Sequence, residues 1–433
     1  MTPAARLSAA IDVLGEIEAR RRPAADVLKD WGLSHRFAGS SDRAAIAGLV
    51  YDALRRKASA AWLMGGGGPR AAAIGMLRLE RGLDSASIEA LCSGARFAPA
   101  PLSEVEKAAL ASSTLAGAPA PVAGDYPDWL DPHLARVFGE ERAAEGVALA
   151  TRAPLDLRVN TLKAEREEVL PKLAHHGAAP TRWSPFGLRI RLSADAKNPA
   201  IHAEPSFRKG EIEVQDEGSQ LAALLAGAKP GEQVVDLAAG AGGKTLALAA
   251  AMENRGQIYA TDIDKRQLVP IHERITRAGA RNIQVRTPRG EADMLGDLDG
   301  RADLVVIDAP CTGTGTWRRN PDAKWRVRPG ALAERLKQQT ALLDRAAALV
   351  RPGGRIAYIT CSVLDEENGD QVRAFVGRHP YFSVEKPADA AKVLGERAYL
   401  FAQAALISTA GLLMTPRRTD TDGFFVSLLR HAA

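Results

Sequence analysis

The chain has 433 residues, 46% of them hydrophobic and 25% charged, with a formal net charge of +5 and a pI near 9.1. That length exceeds what one hydrophobic core organises, so two or three domains are expected, and the composition is that of a globular protein. No apolar run is long enough to span a bilayer, and residues 1–22 carry Asp12, Glu16 and Glu18 where a signal peptide needs a continuous apolar stretch, so a cytoplasmic location is expected.

In chain order, residues 1 to about 110 read as helical. Leu7, Ile11, Leu14 and Ile17 recur at three- and four-residue spacing, and Ile46, Val50 and Leu54 line one face of a helix over 42–57. Glycines at 65–68 interrupt this pattern as a flexible loop, and 111–124, rich in Ala, Ser, Pro and Gly, reads as an interdomain linker. Beyond 150 a strand at 155–160, a helix over 164–176 and a strand at 188–192 make a small α+β module. From Gly231 short apolar strands alternate with helices, the pattern of a parallel α/β sheet: 233–237, 257–261, 282–286, 303–307 and 355–360, with a last strand at 423–429. The expected division is a helical domain at 1–124, linker helices with the α+β module at 125–225, and an α/β domain at 226–433.

The first α/β strand runs into Asp236-Leu237-Ala238-Ala239-Gly240-Ala241-Gly242-Gly243-Lys244-Thr245 before a helix. A glycine-rich turn there lets backbone amides approach a ligand at the positive end of the helix. A Walker loop would need glycine at 238, where this chain has Ala238, although Gly243-Lys244-Thr245 and a strand ending in Asp308 fit. A dinucleotide fingerprint would need glycine at 245, which is Thr245. S-adenosylmethionine carries no phosphate; it asks for close backbone approach and a carboxylate on its ribose hydroxyls, and Asp262 at the end of the second strand is placed for that. Taken alone, Asp262 is equally an ordinary turn residue.

Three cysteines, Cys92, Cys311 and Cys361, do not suggest a disulfide framework, and the eight histidines show no zinc spacing, His175 and His176 being merely adjacent, so no metal is expected. Cys311 follows the fourth strand in Asp308-Ala309-Pro310-Cys311, and Cys361 follows the fifth in Thr360-Cys361-Ser362. Ligands bind beyond the carboxyl ends of an open parallel sheet, so adjacent strands would bring both thiols to one crevice beside the glycine loop. A lone free cysteine is more often packing than chemistry, but two at the same edge point to chemistry. Thiols suit methylation of cytosine: carbon 5 is a poor nucleophile until a thiolate adds to carbon 6, and a base must then remove the carbon 5 proton. Asp308 is the nearest candidate for an acid at ring nitrogen 3. The residues alone leave open which thiol attacks. After Cys311, Trp317-Arg318-Arg319-Asn320-Pro321-Asp322-Ala323-Lys324-Trp325-Arg326 interleaves basic and aromatic residues, a composition suited to single-stranded RNA, or else to a solvated loop.

With these motifs in order, the chain from about 155 to 429 resembles the Sun/Fmu (RsmB-like) family of RNA cytosine 5-methyltransferases. The pieces that carry the resemblance are Leu157-Arg158-Val159-Asn160-Thr161-Leu162, Gln215-Asp216-Glu217-Gly218-Ser219-Gln220, the glycine loop, Asp308-Ala309-Pro310-Cys311, Thr360-Cys361-Ser362 with Glu366-Glu367-Asn368, and Asp422-Gly423-Phe424-Phe425. The N-terminal helices resemble a NusB-type RNA-binding domain through Asp42-Arg43 and Leu49-Val50-Tyr51. The resemblance implies a Rossmann-like class I methyltransferase domain with a parallel-core sheet, preceded by the α+β module and an all-α domain. It implies Cys361 as nucleophile and Cys311 as the thiol of product release, whereas DNA cytosine methyltransferases attack from the Pro-Cys position. It also implies that Ala238, Ala239, Gly240, Ala241, Gly242, Gly243, Lys244, Asp262 and Asp308 line the S-adenosylmethionine and base pocket. Two positions depart from the family: Gly240-Ala241 stands for Ala-Pro, and Thr287-Pro288-Arg289-Gly290 for a Gly-Asp pair at the adenine, with Glu291 or Asp293 the available substitutes. The partner expected by analogy is small-subunit (16S) ribosomal RNA, bound by a monomer. The alternatives are a catalytically inactive RNA-binding assembly factor, which retention of both cysteines and Asp308 argues against, and a P-loop NTPase, which Ala238 argues against.

Overall fold

A computed structural model describes residues 1–112, 114–192, 199–290 and 294–433; Glu291 and Asp293, the candidate adenine contacts, lie outside them. The chain forms two compact units, one of Met1–Arg152 with Trp317–Arg328, the other of Ala153–Leu192, 199–316 and Pro329–Ala433.

The first unit is helical. Thr2 caps the helix Pro3–Arg20 by accepting from the Ala5 amide, and Leu7, Val13 and Leu14 of that helix pack with Ile46 and Val50 of Ser40–Arg55 and with Ile74 and Met76 of Pro69–Leu79. The unit extends to Arg152, past the expected boundary at 124, and the reason is visible at Asp125. This buried carboxylate accepts from the amides of Ala58 and Ser59 (3.0 and 2.9 Å) and the Ser59 hydroxyl (2.7 Å), capping the helix Lys57–Leu63 from a position read as the start of another domain. The expected linker at 111–124 therefore runs inside the unit, and part of it, Ala120–Ala123, is helical.

The second unit holds two sheets. In the smaller, β1 (Leu155–Val159), β2 (Ala179–Pro180), β3 (Gly187–Ile190) and β4 (Ile212–Val214) lie in the order β2-β3-β1-β4, all antiparallel. Leu157, Val159, Leu188, Ile190 and Ile212 face a core closed by Val169, Leu173 and Phe207. On the other face Arg189 grips Asp156 through two bonds of 2.7 and 2.8 Å. The helix expected over 164–176 is only Arg166–Val169 followed by a 3-10 turn, Pro171–His176, because Pro171 lacks an N–H and its ring obstructs the preceding turn.

The larger sheet contains β5 (Gln233–Asp236), β6 (Gln257–Ala260), β7 (Ile283–Val285), β8 (Ala302–Asp308), β9 (Val350–Thr360), β10 (Phe382–Val384), β11 (Leu406–Ile407), β12 (Leu412–Met414) and β13 (Phe424–His431). Its order is β11-β12-β13-β9-β8-β5-β6-β7, with β10 on β13; β7, β6, β5, β8 and β9 run parallel, and β13 lies antiparallel against β9. All six α/β strands expected from the sequence are present, each within a few residues of its expected span. Successive strands step outward in opposite directions from the β5–β8 neighbour pair, and such a reversal opens a crevice at the carboxyl ends.

Candidate active site

The turn between β5 and the helix Gly243–Ala251 is built by backbone geometry that only glycine adopts freely. Gly240 and Gly242 have φ of 51° and 84°, and a Cβ on Gly242 would lie 2.5 Å from Ile271 Cγ1. The loop is tied down from outside: the Ala239 amide donates to Thr261 O (2.9 Å), and Arg274 Nη1 donates to Ala241 O (2.8 Å). Asp262, just beyond β6, accepts from the Gly240 amide (3.0 Å) on one oxygen and from the Asp264 amide (3.0 Å) on the other. At the strand end Asp236 is buried and accepts from Thr245 Oγ1 (2.7 Å), and burial, with Asp308 nearby, raises its carboxyl to about 7. Beneath the loop, Gln215 sets its amide 3.7 Å from where a Gly243 Cβ would be, and its Oε1 is buried without a hydrogen-bond partner.

Lys244 is 6% exposed, and its ammonium is committed to Asp308 Oδ2 at 2.6 Å, over the face of Phe424 at 4.9 Å. A Walker lysine must instead reach a phosphate, so this contact disfavours the nucleotide-hydrolysing alternative. Asp308, foreseen as a lone acid, is thus paired with an ammonium.

Cys311 lies beyond β8 and Cys361 directly after β9, and these strands are neighbours paired at Asp308 and Ile359. Their sulfurs are 3.3 Å apart. Both loops are held rigidly. The Gly315 amide donates to Cys361 O (3.0 Å) and the Gly423 amide to Gly315 O (2.8 Å), and a side chain on Gly315 would strike Gly423 O at 2.2 Å. Thr314 Oγ1 accepts from the Val363 amide (2.9 Å), and Thr360 Oγ1 donates to Asn368 Oδ1 (2.5 Å) while Asn368 Nδ2 donates to Ser362 O (2.9 Å). Glu367, buried, accepts from the Thr312 amide (2.8 Å), the Thr312 hydroxyl and Gln339 Nε2 (3.1 Å). The hydrogen bond with Cys361, burial, and the charges of Cys361 and Glu367 together push the Cys311 thiol well above its ordinary range.

The structure thus unites Cys311 with Cys361, Lys244 with Asp308, and Asp262 with the loop from Ala238 to Gly243. Gln215, Gln339 and Glu367 carry no role in the sequence reading. Glu367 was within reach as part of Glu366-Glu367-Asn368, but nothing local marks it as buried. In the segment read as an RNA contact or a solvated loop, Trp317, Arg318 and Lys324 are buried at 1%, 2% and 1% exposure, while Asn320 and Arg326 are exposed. Trp325 Nε1 donates to Leu54 O (2.7 Å), Lys324 Nζ to Arg55 O (2.9 Å), and Arg55 Nη1 to Arg318 O (2.7 Å). After β7, Arg286 pairs with Asp297 and lies over Tyr259 at 4.4 Å from its ring centre. In the α+β module Glu204 Oε1 accepts from Nε2 of His176 (2.8 Å) and of His175 (3.3 Å); the three ligand atoms lie within 4.8 Å of one another, a convergence that sequence spacing did not disclose.

Residues 222–430 match the family described as 16S rRNA methyltransferase RsmB/F, and 126–196 match the RsmF/B-like ferredoxin-like domain. The chain is 33% identical over 312 residues to a probable ribosomal RNA small subunit methyltransferase B of Synechocystis, covering 71% of this chain and 67% of that one. It is 31% identical over 308 residues to the protein of the same description from Bacillus subtilis, covering 70% and 66%, so the matches span about two thirds of these relatives. The crystal structure of PH0851 superposes with a TM-score of 0.73 at 26% identity, covering 99% of both chains.

Proposed function

The chain belongs to the RsmB/F family of S-adenosylmethionine-dependent methyltransferases, and from that premise we propose that it methylates carbon 5 of a cytosine in small-subunit ribosomal RNA through a covalent cysteine adduct. The observation that carries this reading is the pair of thiols 3.3 Å apart at the ends of two adjacent parallel strands. Cytosine 5-methylation needs a nucleophile at carbon 6 and a base at carbon 5 of one ring, and two facing thiols can supply both.

The loop fits the cofactor: it offers open backbone approach at Gly240, a carboxylate at Asp262, and a buried acceptor without a partner at Gln215 Oε1 that an amine of the cofactor would satisfy. Ala238 to Lys244 and Asp262 would hold it, and when bound it supplies an electrophilic methyl group to carbon 5. Cys361 as thiolate adds to carbon 6, which makes carbon 5 an enamine nucleophile. The Lys244–Asp308 pair binds the polar edge of the base and stabilises charge gathered on the ring during addition. Cys311 then takes the carbon 5 proton, the C–H electrons form the carbon 5–carbon 6 double bond, and Cys361 leaves with the electrons of its bond to carbon 6. The target base must leave its stack to reach the thiols. Incubating the protein with methyl-tritiated S-adenosylmethionine and unmethylated small-subunit RNA, then digesting to nucleosides, tests the reading: label in 5-methylcytidine is expected, and label elsewhere or nowhere refutes it.

A further inference from the structure

We propose that Glu367 is the positioning residue of the thiol pair: it clamps the Cys311 loop and, by its charge, reserves the attack for Cys361. The clamp closes on both neighbours of Cys311. Glu367 holds Thr312 through the main-chain amide (2.8 Å) and the hydroxyl. Gln339, bonded to Glu367 Oε1 at 3.1 Å, donates from the same Nε2 to Pro310 O at 3.0 Å. Glu367 is itself fixed by the Tyr358 hydroxyl, which donates to its carbonyl at 2.6 Å. Cys311 lies between these two anchored residues, and its sulfur is held 3.3 Å from that of Cys361.

The donors around the carboxyl also fix its form. Two N–H groups and a hydroxyl converge on its two oxygens, with the Ser362 hydroxyl nearby, which is the setting of an ionised carboxylate even though burial pushes this carboxyl upward. The ionisable groups facing Cys311 are Cys361 at the end of β9, Tyr358 within β9, and Glu367; Lys244 is engaged with Asp308. All three can only add negative charge. A thiolate at Cys311 is therefore opposed while Cys361 carries charge. Once Cys361 is bound to carbon 6 its charge is gone, and Cys311 can lose its proton to solvent. Glu367 remains, and it makes that sulfur the stronger base for the carbon 5 proton. Unequal environments dividing two like groups between two tasks is a general route to paired catalysis.

The inference rests on Cys361 and Cys311 being the reacting pair, but its deciding measurement, thiol alkylation, needs neither RNA nor cofactor. Iodoacetamide alkylation of the free, full-length protein is followed against pH, with peptide mapping to score Cys311 and Cys361 separately. In Glu367→Gln the midpoint for Cys311 is expected to fall by about one pH unit, giving roughly tenfold faster alkylation below it, while the Cys361 profile stays in place. Glu367→Asp, which keeps the charge, is expected to preserve the order of the two thiols. Thr312→Val, which loses only the hydroxyl donor, should lower kcat without lowering the Cys311 midpoint. An unmoved Cys311 midpoint in Glu367→Gln, or an equal shift of both thiols, overturns the role of Glu367 and leaves the methylation reading standing. A protein that transfers no methyl to cytosine yet shows the Cys311 shift refutes that reading and the reserved attack with it, and keeps only the effect of the Glu367 charge on Cys311.

Discussion

Two consecutive stretches between β8 and β9 have opposite fates. The residues from Ala309 to Thr316 stay with the sheet and bring a thiol to its carboxyl edge, whereas Trp317–Arg328 belongs to the helical unit and buries a tryptophan, an arginine and a lysine there. Both stretches look functional in the sequence. The difference is what each side chain meets: Cys311 faces another reactive group at 3.3 Å, while Lys324 and Trp325 spend their donors on the carbonyls of Arg55 and Leu54. Polar residues that complete buried hydrogen bonds serve the fold, and polar residues left aimed at a crevice serve chemistry.

This contrast can be broken by substitution. Lys244→Met removes the donor of the Lys244–Asp308 pair and should lower kcat by about 100- to 1000-fold with the denaturation midpoint little changed, as steady-state methyl transfer would record. Trp325→Ala should act the other way. It is expected to destabilise the helical unit by about 3 kcal/mol in urea titration, leaving the alkylation profiles of Cys311 and Cys361 intact. If Trp325→Ala instead abolished RNA binding in a protein of unchanged stability, the segment would regain the role its composition suggests.

A smaller effect separates the two units by pH. Burial lowers Lys324 to about 7 from 10.5, so the unfolded chain binds its proton more readily; the resulting penalty is present below pH 7 and is relieved as pH rises toward 10. Asp236 has the opposite sign, being raised to about 7 from 3.8, so its stabilising contribution is complete below pH 4 and lost as pH climbs through 7. Lys324→Met should flatten the alkaline rise of unfolding free energy and Asp236→Asn the acidic fall, each measured by denaturation across pH. Slopes that survive these substitutions would assign the titrations to other groups.

The legible parts of the molecule were those fixed by local pattern. Alternating apolar runs located β5, β6, β7, β8, β9 and β13, and the glycines at 240 and 242 announced a turn that their positive φ requires. Asp308, Cys311 and Cys361 lie at strand ends as expected, because a parallel sheet sends every strand end to the same edge. What stayed hidden depended on distant partners. Asp125 looked like the start of a new domain because its role, capping a helix through amides 67 and 66 residues earlier, leaves no local trace. Glu367 was visible only as part of Glu366-Glu367-Asn368, with no role until Gln339 and Thr312 enclosed it. The burial of Lys324 and Arg318 stayed hidden for the same reason: their partner Arg55 lies in a helix far away in the chain.

The most direct test of the central claim is covalent trapping. Wild-type, Cys311→Ala and Cys361→Ala proteins are incubated with S-adenosylmethionine and small-subunit RNA, then run on denaturing gels. If Cys361 attacks and Cys311 releases, the Cys311→Ala protein accumulates a slow-migrating RNA adduct and the Cys361→Ala protein shows none. An adduct in Cys361→Ala and none in Cys311→Ala would contradict that division of labour and, with it, the part assigned to Glu367.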